Sequence, residues 1–187
     1  MIRMVLWAVP VILVWLAITP LYNLFLVTAG ENLLHLFESP DVTDLVREDV
    51  HDVGVLRRDF PPEHSRVSGF RVTDLHFPLI LMGALFLAVP GVPWRERLAH
   101  LGWASLISVF FHILLVVLWV QFLYATQLGD WSLQHYGPVS REAWGMAKHI
   151  ADLPLKLALP LALWAFFYLD RLLPRRAPQE ARGPHTQ

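Results

Sequence analysis

Four stretches of the chain are apolar enough and long enough to be read as membrane crossings, and polar regions of unequal size separate them. They run from Val5 to about Val27, Leu75 to about Val92, Leu98 to about Tyr124, and His149 to Leu169. About twenty helical residues at ~1.5 Å each match a hydrocarbon core of ~30 Å. The pattern therefore predicts an all-α membrane protein built as a four-helix transmembrane bundle. Pro10 and Pro20 predict a kink or a break in the first segment. Past Pro20, the run Leu21–Phe37 keeps a helical apolar period and is expected to lie as an amphipathic helix on the outer surface. Arg3 ahead of the apolar run and small residues before Gly30 also fit a cleaved signal peptide, but the length of the run favours a retained anchor.

Between Glu31 and Asp74 the pattern changes. Ten carboxylates and five arginines replace the apolar run. The segments Val42–Val46, Val50–Leu56 and Arg66–Thr73 show partial alternation with β-branched residues, and Pro61-Pro62 and Ser68-Gly69 supply turns. These predict two or three short antiparallel strands. So small a β element has too little core to stand alone and is expected to rest on the helices. The predicted organisation is a first transmembrane helix over 1–28, an extracytoplasmic region over 29–74, a three-helix transmembrane bundle over 75–170 and a basic cytoplasmic tail over 171–187.

Composition agrees: 55% of residues are hydrophobic, 17% are charged, and the mean hydropathy is +0.45. The placement of charge is more informative than its sum of −1. In a four-span arrangement Arg3, then Arg95 and Arg97, then Arg171, Arg175, Arg176 and Arg182 share one side. The positive-inside rule then puts both termini in the cytoplasm of a bacterial inner membrane, with the acidic 31–74 region and the polar 125–148 loop outside. Trp131, Tyr136 and Trp144 in that loop are expected at the membrane interface. There is no cysteine, which excludes disulfides, thiolate metal sites and a cysteine nucleophile.

Candidate chemistry concentrates in the last segment. His149, Asp152 and Lys156 fall within roughly 60° on one helix face. Charges inside a bilayer cost about 2.5–3.5 kcal/mol each on insertion scales, so they face protein or water. The third segment runs antiparallel and brings His112 to comparable depth. A polar intramembrane cluster of His112, Asp152, Lys156 and His149 is therefore expected, with Asn23 and Gln121 at its rim and Ser105 and Ser108 deeper. Two readings stand open: a pocket for a headgroup, a peptide or a proton, and plain interhelical bonding. Zinc-type histidine spacings are absent, and Glu31 with His35 supplies only two ligands, so no metal and no cofactor are expected. His112 with His149 is the one pair offering a haem alternative. Ser108 and His112 share one helix and have no nucleophile elbow, which argues against a serine hydrolase.

The run TDLHFPLILMGALFLA from Thr73, PWRERLAHLG from Pro93 and DLPLKLALPLALW from Asp152 resemble in layout the small integral membrane proteins that accompany exosortases. The resemblance implies an accessory subunit, without catalytic residues, in envelope protein sorting. The expected function is accordingly a non-catalytic accessory or assembly subunit of an inner-membrane envelope system. Its partners would be the lipid bilayer and a membrane protein bound through 31–74, with no nucleic acid. The alternatives are a small transporter or proton-coupled component using the His/Asp/Lys cluster, and a haem- or quinone-binding redox subunit.

Overall fold

A computed structural model describes residues 2–172. Three helices are long and apolar enough to cross a membrane, and a small three-stranded sheet sits against them. Helix α1 (Ile2–His35) is continuous through Pro10 and Pro20. Proline costs one backbone bond each time, a loss that neighbouring hydroxyls can offset in lipid. Beside Pro20, the Thr19 hydroxyl donates to the Trp15 carbonyl at 2.7 Å. The expected surface helix over Leu21–Phe37 is thus the far end of α1 rather than a separate element, and it ends at His35.

Strands β1 (Thr43–Arg47), β2 (Asp52–Arg57) and β3 (Arg66–Arg71) form an antiparallel sheet in sequence order. Leu45 pairs with Val55 and Val53 with Phe70, so the apolar positions share one face. That face packs on Leu26, Val27 and Leu34 of α1 and on Val116, Val120 and Leu123 of the long helix over Trp94–Thr126, giving one continuous core. Gly30 makes the approach possible: a Cβ there would stand 2.5 Å from Val116 Cγ1. The expectation that the sheet rests on the helices matches this packing.

The second apolar segment is shorter than expected. It folds as one turn, α2 (Thr73–His76), then α3 (Leu79–Ala88), interrupted at Pro78 and stopped before Pro90. Ten residues of α3 reach only about 15 Å, so it is not by itself a membrane-length helix. Helix α4 (Trp94–Thr126) returns along it. The stretch expected to be a polar loop is helical: α5 (Asp130–His135) and α6 (Pro138–Ile150). A π-helical turn at Ala151–Leu155 joins α6 to α7 (Lys156–Leu172), so these run as one membrane-length helix. Pro154 inside that turn has no N–H to keep the α register. Met82, Phe86, Ala104 and Tyr168 form a second, smaller core among α3, α4 and α7. Near it, Trp7 stacks on Trp94 at 5.3 Å and Arg171 pairs with Glu96, tying the ends of α1, α4 and α7. The basic tail predicted over 171–187 lies, from residue 173 onward, outside the described residues.

Candidate functional site

A polar layer separates the apolar part of the bundle from the sheet. Helical rise places it about 20–27 Å from the Trp7–Trp94 end, reckoned from Tyr22, His112 and Lys156. It contains two groups of side chains.

The first group centres on Asp152. Lys156 Nζ donates to Asp152 Oδ1 at 2.7 Å and to the Asp74 backbone carbonyl at 2.9 Å. Lys148 reaches the other carboxylate oxygen at 3.3 Å and sits 3.8 Å over the Trp119 ring. Lys156 is only 7% exposed, which an ammonium tolerates because a carboxylate and a carbonyl take two of its three donors. The bond to the Asp74 carbonyl also anchors α7 to the chain leaving the sheet.

The second group centres on His76, which is fully buried. Trp15 Nε1 lies 3.1 Å from His76 Nδ1, and an indole N–H only donates, so Nδ1 is the acceptor. His76 Nε2 therefore carries the proton and donates to Asn23 Oδ1 at 2.6 Å. The Asn23 amide nitrogen donates onward to the Val50 carbonyl at 2.6 Å and to Thr73 Oγ1 at 2.9 Å. Thr73 Oγ1 in turn meets His51 Nδ1 at 2.9 Å. Beside this chain, the Tyr22 hydroxyl bonds His112 Nδ1 at 2.8 Å, and the His76 and His112 rings stand 6.3 Å apart. The result is a hydrogen-bonded seam from α1 through α2 into the β1–β2 turn.

The expected cluster of four is thus divided. Asp152 and Lys156 are together, with Lys148 as an unanticipated third member. His112 is buried at similar depth but bonds Tyr22, in the other group. His149 is exposed, donates to the Gly145 carbonyl and presents its ring to Phe122. The π turn explains the exchange: one extra residue in the helix rotates the preceding positions by about 100°, carrying Lys148 into the stripe and His149 out of it. Asn23 is at the heart of the seam rather than its rim, and Gln121 lies elsewhere, accepting the Tyr136 hydroxyl. Ser108 is buried and bonds Ala104 O. His76, Trp15, Thr73 and Lys148 were not singled out as site residues from the sequence. An isolated His ahead of Phe77-Pro78, where an apolar run begins, is the one signal that pointed to His76.

One further constellation involves metal-ligand types. Glu31, His35 and Asp44 bring one donor atom each to within 4.8 Å of one another. Two of the three are already engaged: His35 Nε2 bonds the Thr43 carbonyl at 2.6 Å, and Arg58 chelates both oxygens of Asp44. With two members committed to protein partners, the group is not a prepared cation site.

No protein-family model, curated protein or solved structure matches the chain.

Proposed function

We propose that this chain is a non-catalytic accessory or assembly subunit of a bacterial inner-membrane envelope system, with a partner held by its sheet-bearing outer cap. In this reading α2–α3 completes a four-span bundle, both termini are cytoplasmic and residues 29–74 face outward, as the arginine distribution requires. The resemblance in layout to exosortase companions is what suggests protein sorting as that system.

The observation that carries this reading is the mutual satisfaction of the polar layer. Asp152 is matched by two lysines, Lys156 by a carboxylate and a carbonyl, and His76 at both ring nitrogens. A transport or catalytic site keeps a group available for its substrate. The seam also ends at Trp15, whose indole cannot accept a proton, so it is closed as a relay from the bundle side. The layer ties the sheet-bearing segment to the helices through Asn23 to Val50 O and Lys156 to Asp74 O, and ties the helices to one another through Trp15–His76 and Tyr22–His112. That is the expected design of a scaffold whose working surface lies outside.

Two measurements test the proposal. Reporter fusions at residues 60 and 91 should respond as extracytoplasmic and cytoplasmic respectively; the reverse result removes the topology. Solubilisation of native membranes should retain a stoichiometric membrane-protein partner, released when the cap is altered. A chain that purifies alone and sustains the full activity of the system contradicts the accessory role.

A further inference from the structure

The cap carries a groove that the polar layer does not use. Two clefts, of about 370 and 490 Å³, share Trp131 as a common wall. Arg57, 7% exposed, is the pillar between them. Its guanidinium lies 4.2 Å over the Trp131 ring, 4.7 Å over Tyr124 and 5.1 Å over Phe60. Asp59 chelates its Nε and Nη2 at 2.9 and 2.6 Å, which neutralises the charge and holds the Asp59 carboxyl below its usual range. The third nitrogen, Nη1, has no protein partner among the described residues.

Other groups along the groove are similarly half-used. Gln121 accepts the Tyr136 hydroxyl at Oε1, which leaves its amide nitrogen as a donor. His135 Nδ1 must donate to the Trp131 carbonyl at 2.8 Å, which leaves Nε2 as an acceptor. The groove therefore offers donors and an acceptor beside aromatic faces, which a peptide backbone with its own C=O and N–H groups can match. Charge narrows the choice further. Arg57, Arg58, Arg66 and Arg71 are each paired with an acid. Glu63 in the second cleft has no side-chain partner among the described residues; Glu38 in the first accepts the Val42 and Thr43 N–H groups and the Thr43 hydroxyl but has no cationic partner. An anionic headgroup would meet a carboxylate without a cation in each cleft.

We propose that the groove straddling Trp131 docks an extended peptide segment bearing lysine or arginine, supplied by the partner protein. Aromatic faces take its apolar side chains, Arg57 Nη1 and the Gln121 amide meet its carbonyls, and Glu38 and Glu63 meet its basic side chains. The inference rests on the accessory-subunit reading and names the chemistry of the partner.

The test uses the full chain in nanodiscs of zwitterionic lipid and a dye-labelled, end-blocked decapeptide alternating valine and lysine, read by fluorescence anisotropy. Saturable binding is expected, with the valine–glutamate counterpart at least about tenfold weaker. Glu63→Gln, which removes no hydrogen bond among the described residues, should weaken the lysine peptide about fivefold, and adding Glu38→Gln should bring the loss to about tenfold, while Arg47→Gln, on exposed β1 surface, should not weaken it. Trp131→Ala should abolish binding, but it also removes a ring from Arg57, so Glu63→Gln alone decides. Equal binding of the two peptides, an unaffected Glu63→Gln variant, or equal binding to empty nanodiscs overturns the proposal. If a partner co-purifies while the peptide arms fail, the accessory role stands and this inference falls; the converse result removes the accessory role alone.

Discussion

Asn23→Leu is the substitution that most directly tests whether the seam holds the cap to the bundle. The side chains are close in size, so the change removes hydrogen bonds with little change in volume. Asn23 is fully buried and serves three partners: the His76 Nε2 proton, the Val50 carbonyl and the Thr73 hydroxyl. A buried polar group left without a partner costs about 1–3 kcal/mol. Thr73 retains His51, so two groups are fully orphaned, for a loss of about 2–6 kcal/mol. Removing the buried amide and gaining apolar contact returns about 1.5–3 kcal/mol at most. A net cost of about 2 kcal/mol is expected, and it should be local, because Val50 and Thr73 bracket β2 and β3. Amide hydrogen exchange on the chain in nanodiscs is the assay. Strand amides over 43–71 should open roughly 30-fold more often, while amides around Met82 and Phe86 in the second core stay as protected as before. Unchanged strand exchange, or an equal loss in both cores, would refute the argument that this residue couples cap to bundle.

Three further outcomes follow from particular contacts. Asp152→Asn should destabilise more than Lys156→Met, because it leaves two lysines unneutralised whereas the methionine leaves Asp152 its bond to Lys148; a thermal melt in detergent ranks them, and Asp152→Leu with Lys156→Leu should fall between. Gly30→Ala forces a Cβ into Val116 and should cost about 1–3 kcal/mol, partly recovered by Val116→Ala; no loss on Gly30→Ala would mean that α1 and α4 are more widely spaced at this level. Acid should loosen the groove. Asp59 has its folded pKa depressed, first by the Arg57 hydrogen bond, so its contribution is complete above the ordinary carboxylate range near 4 and is lost as pH falls through the lower folded value. Trp131 fluorescence, isolated by replacing other tryptophans, should change only below about pH 4 in the native chain and not at all in Asp59→Asn; the same low-pH change in that variant would assign the transition to another group.

The parts of the fold legible in the sequence were those set by neighbours along the chain. β-branched alternation between turn residues placed all three strands to within two residues at each end, and the Asp152–Lys156 pair followed from a spacing of four. What escaped was set by partners distant in sequence or by a change of helical phase. His76 finds Asn23 across 53 positions and Trp15 across 61, distances at which hydrophobic periodicity carries no signal. The substitution of Lys148 for His149 in the polar stripe depended on a single π turn, which Pro154 marks but whose register no spacing rule predicts. The helices α5 and α6 were hidden for another reason. An amphipathic helix whose apolar residues recur singly has no continuous apolar run and so looks like a polar loop in the sequence.

The polar layer also bears on how intramembrane charge should be interpreted. An ionisable residue at membrane depth is first a hypothesis of function. Here that hypothesis meets a competing demand. A three-stranded sheet this small has little core of its own, and its apolar face is completed by α1 and α4. Apolar packing alone fixes such a cap weakly in orientation, because dispersion contacts are non-directional. Hydrogen bonds from Asn23 to Val50 O, and from Lys156 to Asp74 O, pin the β1–β2 turn and the chain leaving β3, both at the same end of the sheet, and so specify its angle on the helices. Directed polar bonds between the cap and the bundle fix the cap's orientation at the cost of burying charge. The cost is sensible if the cap must present the Trp131 groove in one orientation, and it has no evident return if the layer itself were meant to release a proton or receive a substrate.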